Sequence, residues 1–318
     1  MSCSIILCTY NGASKLEATL KAITELRTGF DWELLLIDNN STDSTADFAR
    51  SYLANSKIDY SVLDCNTPGK MKAFWLGIRA AKYDFILDCD DDNHLFLDFL
   101  QVGISYLKEN PRVGALGGHG ILKAKQVPDW FETYAKSYAI GSQGKSGEVM
   151  QPFSHLYGAG CFYRKSILLD LESKGFYSLL SCRKGTELSS GGDVELCYAI
   201  QLSGFDLVYL NTLKFHHAIS QDRLSFEYYL KLKAGIASSF PILDSYRITE
   251  FLNVIAFNNH LIFKEWIALK GLLKSTLLGN SSMNSKIEKV VTVTKFKYFF
   301  KNYTLALEGF KRNQKIFK

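Results

Sequence analysis

Apolar runs broken at regular intervals by polar, turn-forming clusters dominate the first third of the chain. Ser4-Ile5-Ile6-Leu7-Cys8 is apolar without alternation, the pattern of a parallel strand covered on both faces. Thr9-Tyr10-Asn11-Gly12 follows as a polar turn. Ser14-Lys15-Leu16-Glu17 then has capping-box spacing, in which hydroxyl and carboxylate each meet an unpaired amide. Leu16, Leu20 and Ile23 recur at helical spacing. The unit repeats with Trp32 to Ile37 as strand, Asp38-Asn39-Asn40-Ser41-Thr42-Asp43 as loop, and a helix through Arg50. Ile58 to Leu63 predicts a third strand, Asn66 to Lys70 a turn, Met71 to Ala81 a helix, and Phe85 to Leu87 a short buried strand. Strands alternating with helices in this way predict right-handed βαβ units, hence an α/β fold with a mostly parallel sheet.

Farther along, Leu95 to Lys108 reads as an amphipathic helix closed by Asn110-Pro111, and Val113 to Leu116 as a strand. From Gly117 to Gly160 the pattern loosens into glycines and aromatics, as in segments that shape a binding cleft. Cys161 to Arg164 and Leu207 to Leu210 are further strands. Asp193 to Leu202 is a helix whose acidic first turn suits its dipole. Beyond Arg223 the chain reads as helical and aromatic.

Composition narrows the class. At 318 residues, 47% hydrophobic and 22% charged, the chain can bury a sizeable core. Its net charge of +5 is too small to argue for nucleic acid. The seven cysteines are scattered and contain no C-x-x-C pair, so neither a zinc site nor a disulfide framework is indicated, and a reducing cytoplasm fits. The N-terminus enters a strand without a basic region, and no uninterrupted apolar run is long enough to span a bilayer. A cytoplasmic protein is expected, with possible peripheral contact at the inner face of the membrane.

The strand at Phe85 ends in Asp88-Cys89-Asp90-Asp91-Asp92, four carboxylates within five residues. Two readings stand: a solvated acidic loop, or a hard cation removing mutual repulsion. Thr9-Tyr10-Asn11, Asp38-Asn39-Asn40, Asp64 and Asp88-x-Asp90 all end strands at one sheet edge, where open α/β sheets bind ligands. A nucleotide fits there, with Asp38 on the base or ribose and Lys70 near phosphates. No G-x-G-x-x-G follows the first strand and no G-x-x-x-x-G-K-[ST] exists, which disfavours dinucleotide dehydrogenases and P-loop NTPases.

Taken together, Ser4 to Asn11, Leu36-Ile37-Asp38-Asn39-Asn40-Ser41-Thr42-Asp43, Gly69-Lys70-x-x-Ala73, Leu87-Asp88-Cys89-Asp90-Asp91 and Gly192-Asp193-x-Glu195-Leu196 resemble family 2 glycosyltransferases of the GT-A fold over about residues 1–220. Pro128-Asp129-Trp130-Phe131 followed by Tyr138-Ala139-Ile140-Gly141, and Phe215-x-His217 before Asp222-Arg223-Leu224, resemble the bacterial enzymes that build surface polysaccharides. The resemblance implies a GT-A catalytic domain over 1–220, its nucleotide-sugar half at 1–95 and acceptor half at 96–220, with a helical extension over 221–318. It implies inverting transfer from a UDP-sugar to a glycan, lipid-linked in that subgroup, with Mn2+ or Mg2+ as cofactor. Thr9, Tyr10, Asn11, Asp38, Asn40, Lys70 and Asp88 would bind the nucleotide-sugar, and Asp90 and His217 the metal. Asp193 would be the base, with Glu195 compensating for Gly192, which stands where the family usually has Glu. Asp92 would do no more than face water.

Other readings remain open on the residues alone. Trp130 and Phe131 could stack on an acceptor sugar or pack in the core. Phe74-Trp75 could pack their helix or alter the donor pocket. The basic, aromatic segment 286–318 could pack on the catalytic domain or attach to an anionic membrane. Of the rival functions, a nucleotidyltransferase lacks the Gly- and Arg-rich first loop. A catalytically impaired sugar-binding or scaffold protein has only Gly192 in its favour, against the retained acids.

Overall fold

The computed structural model describes residues 2–183, 188–248, 254–277 and 282–318. In chain order the elements are β1 (Ser2–Thr9), α1 (Leu16–Thr24), β2 (Asp31–Asp38), α2 (Thr45–Leu53), β3 (Asp59–Asp64), α3 (Lys70–Ala80), β4 (Phe85–Asp90), β5 (Asn93–Leu95), α4 (Phe99–Glu109), β6 (Val113–Lys123) and α5 (Phe131–Tyr134). They continue with β7 (Cys161–Arg164), α6 (Lys165–Ser173), α7 (Gly192–Leu202), β8 (Asp206–Ala218), α8 (Phe226–Ser238), α9 (Phe240–Arg247), α10 (Val254–Leu277) and α11 (Met283–Phe317).

One eight-stranded sheet carries the fold, in the order β3-β2-β1-β4-β7-β6-β8-β5. The expected parallel βαβ units account for β3, β2, β1 and β4. The second half is mixed: β7 lies antiparallel to both β4 and β6, β6 and β8 are parallel, and β5 is antiparallel to β8. β1 is sandwiched by helices, and alternation divides its side chains between two cores. Ile6 and Cys8 pack with Phe74 and Ile78, while Ile5 and Leu7 pack with Leu16, Leu20 and Ile104. Phe74 and Trp75 are therefore helix packing. Phe74 meets the Tyr163 ring edge-on, and the Trp75 indole donates to Ser178 Oγ at 3.0 Å.

Three local expectations change. The capping box does not form: Lys15 is the N-cap of α1 with no side-chain cap bond, and its ammonium is drawn instead to Asp91. The helix expected from Leu95 begins at Phe99, because Asn93–Leu95 pair with Phe215–His217 as β5. β6 and β8 run much longer than their apolar cores, pairing from Val113 to Lys123 across two irregularities. Among the described residues no helix is long and apolar enough to cross a membrane, and all seven cysteines are free and buried.

The C-terminal helices are built into the core. α11 lies against α8 and α9 and sends Arg312 inward to Glu195, 3.4 Å away, where Tyr246 also donates to the carboxylate at 2.6 Å. Both members of the ion pair are buried, so removing one leaves an uncompensated charge. Arg312→Met is expected to cost about 3–5 kcal/mol in urea unfolding. Pairing it with Glu195→Gln should recover part of that loss. A single substitution costing under about 1 kcal/mol, the scale of an exposed pair, would show that the pair does not hold the helix.

Candidate active site

A cavity of about 510 Å³ opens at the carboxyl ends of β1 and β4. Strand order reverses at β1, with β2 on one side and β4 on the other, and such a switch point leaves a crevice. Thr9, Tyr10, Lys15 and Asn39 line it from the first two units, and Lys70 and Asp88 to Asp92 from α3 and β4. Asp193 and His217 enter from α7 and β8, and Leu232, Ile236, Phe240 and Leu243 form a wall from α8 and α9.

Each carboxylate of the acidic strand end meets a cation from elsewhere in the fold. Lys70 Nζ lies 2.6 Å from Asp90 Oδ1 and 3.1 Å from Asp88 Oδ2. Asp91 accepts from Thr9 Oγ1 at 2.6 Å and pairs with Lys15 at 2.7 Å. Asp92 pairs with His217 Nε2 at 3.3 Å and Arg223 at 2.9 Å. Burial pushes the Asp88 carboxyl up to about 7, with Lys70 pulling back and Asp90 adding to the rise. Burial also raises Asp91, against the opposing pull of Lys15. On Lys70, burial disfavours the ammonium, but Asp88 and Asp90 outweigh it and hold its pKa well above the usual value. Burial would raise Asp92 too; there His217, then Arg223 and Lys15, prevail and its carboxyl is held below the usual range. Asp92 thus does not face water. It ties β4 to β8 and the turn at Gln221–Leu224, a role its position in an acidic run concealed.

Asp193 sits in the first turn of α7, where Oδ2 accepts from the Gly158 amide at 3.1 Å and Oδ1 from the Val194 amide at 3.0 Å. Gly158 joins the acids: a Cβ there would lie 3.1 Å from Asp88 Oδ2, 3.3 Å from Asp193 Cβ and 3.5 Å from Lys70 Nζ. Gly192 has a steric cause. Its Cβ would come within 2.6 Å of Met71 on α3, so this packing has no room for the family's usual Glu.

The other expected residues divide. Thr9 and Tyr10 line the cleft, whereas Asn11, Asp38 and Asn40 build its rim. Asn11 Oδ1 accepts from the Thr42 amide at 2.8 Å, and Asp38 Oδ1 from the Ser41 amide at 3.2 Å. Asn11 and Asn40 both take positive φ, at 48° and 62°, as turn residues. Asn39, between them, lines the cleft and accepts from the Gly69 amide at 2.7 Å, fixing the start of α3.

Glu195 is a correction. Two residues along a helix is about 200° of rotation, so Asp193 facing the cleft turns Glu195 away from it. Its carboxylate is fully enclosed by the Leu179 and Leu180 amides, Tyr246 and Arg312 and serves packing, not catalysis. Phe131, 1% exposed, and Trp130 are also corrected. Phe131 packs on Tyr138 and is enclosed, and the half-buried Trp130 packs on Tyr229 and Phe226; neither lines the cleft. The neighbouring Lys136, Ser137 and Tyr138 reach the cleft instead. The pairings of Lys15 with Asp91 and of Arg223 with Asp92 are not legible in the sequence, because each cation lies far from its acid along the chain.

Metal chemistry finds partial accommodation. Among the described residues no three His, Cys, Asp or Glu side chains are gathered to hold an ion. His217 is turned to Asp92, and its Nδ1 is buried without a partner. Asp88 and Asp90 are nevertheless hard oxygen donors, and the buried Asp88 Oδ1 has no hydrogen-bond partner. A divalent cation at these two acids fits the donor chemistry, provided that oxygens from outside the chain, such as those of a diphosphate, complete its shell.

A mixed sheet of this order with helices on both faces and an acidic strand end at its switch point is the GT-A architecture of glycosyltransferases. The chain belongs to glycosyl transferase family 2, whose profile matches residues 4–171. It is 25% identical over 169 residues to a poly-beta-1,6-N-acetyl-D-glucosamine synthase of Staphylococcus epidermidis, covering 53% of this chain and 40% of that protein. The same-named protein of Staphylococcus aureus (strain COL) is 23% identical over 207 residues, covering 65% and 47%. The matches thus span less than half the length of these curated relatives. Among solved structures, S. aureus TarS 1–349 in complex with UDP-GlcNAc is similar at a TM-score of 0.53 and 14% identity, covering 95% of this chain and 92% of that one. The mannosyltransferase PcManGT from Pyrobaculum calidifontis, in complex with GDP-Man and Mn2+, gives 0.57 and 17%, covering 95% and 86%. These are likenesses of fold.

The depressed Asp92 carboxyl makes a pH prediction. Its stabilising contribution is full above its ordinary pKa of 3.8 and is lost as pH falls through that value toward the lower folded one. Asp92→Asn should therefore lower stability at neutral pH and flatten its acid dependence. Between about pH 5 and pH 3 the two urea-unfolding slopes should differ by up to about 1.4 kcal/mol per pH unit. Parallel slopes would mean that the His217 and Arg223 contacts do not perturb Asp92.

Proposed function

We propose that the protein transfers a sugar from a UDP-sugar to a hydroxyl of a glycan acceptor, with inversion at the anomeric carbon, in assembly of a bacterial surface polysaccharide. One observation carries this reading. Asp193, Asp88 and the Lys70 ammonium converge on the Gly158 backbone, so a carboxylate that can take a proton stands beside a cation that can take developing negative charge. The names of the relatives, synthases of an N-acetylglucosamine polymer, favour a polysaccharide product.

In this mechanism Thr9, Tyr10 and Asn39 face the nucleoside from the first two strand ends, on a rim held by Asp38 and Asn11. Lys70 approaches the diphosphate. The acceptor enters from the α8 and α9 side, and Asp193 accepts its hydroxyl proton as the oxygen bonds to the anomeric carbon and the bond to the diphosphate breaks. The leaving group departs with its electron pair toward Lys70. A double displacement needs a second carboxylate as nucleophile. Glu195, the nearest in sequence, is enclosed on the far side of α7, and Asp88 and Asp90 are both held by Lys70, which favours a single inverting step. Asp90 and Asp88 would hold Mn2+ or Mg2+, which when bound neutralises charge on the diphosphate.

Asp193→Asn keeps the shape but not the base. Donor affinity by calorimetry should stay within about twofold while transfer falls by roughly 10²–10⁴, the scale of lost general-base catalysis. Transfer near the unsubstituted rate would remove Asp193 from the reaction. The donor itself is found by screening nucleotide sugars for protection against thermal unfolding, where a UDP-sugar should raise the midpoint most. A screen in which no UDP-sugar protects would overturn the donor assignment.

A further inference from the structure

The outer face of the C-terminal helices differs in chemistry from the rest of the molecule. Phe257 stacks on Phe310 at 4.5 Å, Tyr303 donates to Asn258 at 3.0 Å, and Glu265 feels the charge of Lys295, so α10 and α11 run antiparallel as a hairpin. Its inner side is closed by Phe257, Leu261, Ala306 and Phe310. Away from that side each helix leaves large rings in solvent: Phe263 is 57% exposed and Trp266 51% on α10, Phe300 66% on α11, and Ile262, Ile267 and Phe296 are exposed as well. Helical spacing gathers the four α10 residues into one stripe, and Phe296 meets Phe300 edge-on at 5.3 Å on α11. Exposed clusters of this kind, one on each of two paired helices, mark contact surfaces.

Charge identifies what it contacts. α10 and α11 carry eleven Lys and Arg against three Glu, whereas the whole chain has 37 Lys and Arg against 32 Asp and Glu; outside the hairpin the protein is acidic on balance. Lys289, Lys297 and Lys301 stand exposed around the rings, and Lys270 Nζ lies 3.4 Å from the Trp266 ring centroid. In a symmetric pairing with a second copy these same lysines would oppose one another. Among the described residues no helix can span a membrane, which leaves a helix pair lying flat.

We propose that this face seats the protein on an anionic lipid bilayer, the aromatic rings entering the headgroup layer and the lysines meeting lipid phosphates. The seat adjoins the acceptor wall of the cleft, because Lys295 Nζ lies 4.7 Å from the ring centroid of Phe240, which lines that wall. An acceptor glycan carried on a lipid then meets the cleft from the surface to which the protein is bound. Lipid binding is independent of the transfer reaction and is measured without it.

The test is flotation of the full chain with vesicles of phosphatidylcholine alone or mixed with phosphatidylglycerol. Binding should be about tenfold or more stronger to the anionic vesicles and should weaken as salt rises. Trp266→Ser combined with Phe300→Ser, and separately Lys297→Gln combined with Lys301→Gln, should each reduce it by about tenfold. Thermal unfolding and nucleotide-sugar turnover should be unchanged, since none of these residues lines the cleft. Equal binding to both vesicles, no binding to either, or full binding by both variants would overturn the proposal. So would a dimer in sedimentation that the same substitutions dissolve, which would make the face a contact between copies.

Discussion

Four carboxylates leave one strand within five residues, and none of them can be left buried beside the others without a counter-charge. The fold answers by bringing partners from separate parts of the chain, Lys70 serving Asp88 and Asp90 together. Lys70 comes from the start of α3, Lys15 from the loop before α1, His217 from the end of β8, and Arg223 from the turn after it. The pairings fasten the first strand–helix unit, the third helix and the far edge of the sheet to the end of β4. The acidic cluster thus organises the walls of the cleft before any ligand arrives. In the proposed reaction Lys70 would also meet the charge of a departing diphosphate, so that one contact would serve both stability and chemistry.

α7 divides the same two duties between its faces. Asp193 looks into the cleft from its first turn, and Glu195, on the opposite side, is held by Arg312 from the last helix. Cys182 Sγ accepts from the Gly192 amide at 2.9 Å, and Ser181 O from the Met71 amide at 3.1 Å. The segment that carries Glu195's amide partners therefore also fixes the starts of α7 and α3. Through these contacts the C-terminal helix is joined to the starts of the helices that carry Asp193 and Lys70.

The sequence was most readable where burial is complete. β1, β2 and β4 are apolar runs covered on both faces, and their polar ends line up because parallel strands end together. It was least readable where partners are distant in the chain. Glu195 and Arg312 are 117 residues apart, and nothing local distinguishes a buried acid from a catalytic one. Asp92 looked solvated because its partners, His217 and Arg223, arrive from β8 and beyond. The capping box at Ser14 failed because α1 starts one residue later, with Lys15 as its N-cap and the Gly12 carbonyl taking the Lys15 and Leu16 amides. β6 outran its apolar core because glycines there hide strand character, and β8 because Asn211, Thr212 and Lys214 break its apolar run. The family profile ends at residue 171, so Asp193 and His217 gain their places from geometry.

The central claim is that Asp88 and Asp90 face a nucleoside diphosphate with Lys70 between them. Calorimetric titration of UDP into the intact chain, in Mn2+ and again in chelator, tests it most directly. UDP should bind in Mn2+ and lose about tenfold or more of its affinity in chelator and in Asp90→Ala, as expected when a charge-bearing contact worth about 1.4 kcal/mol or more is lost. UDP binding of equal strength in all three conditions, or in none of them, would contradict it.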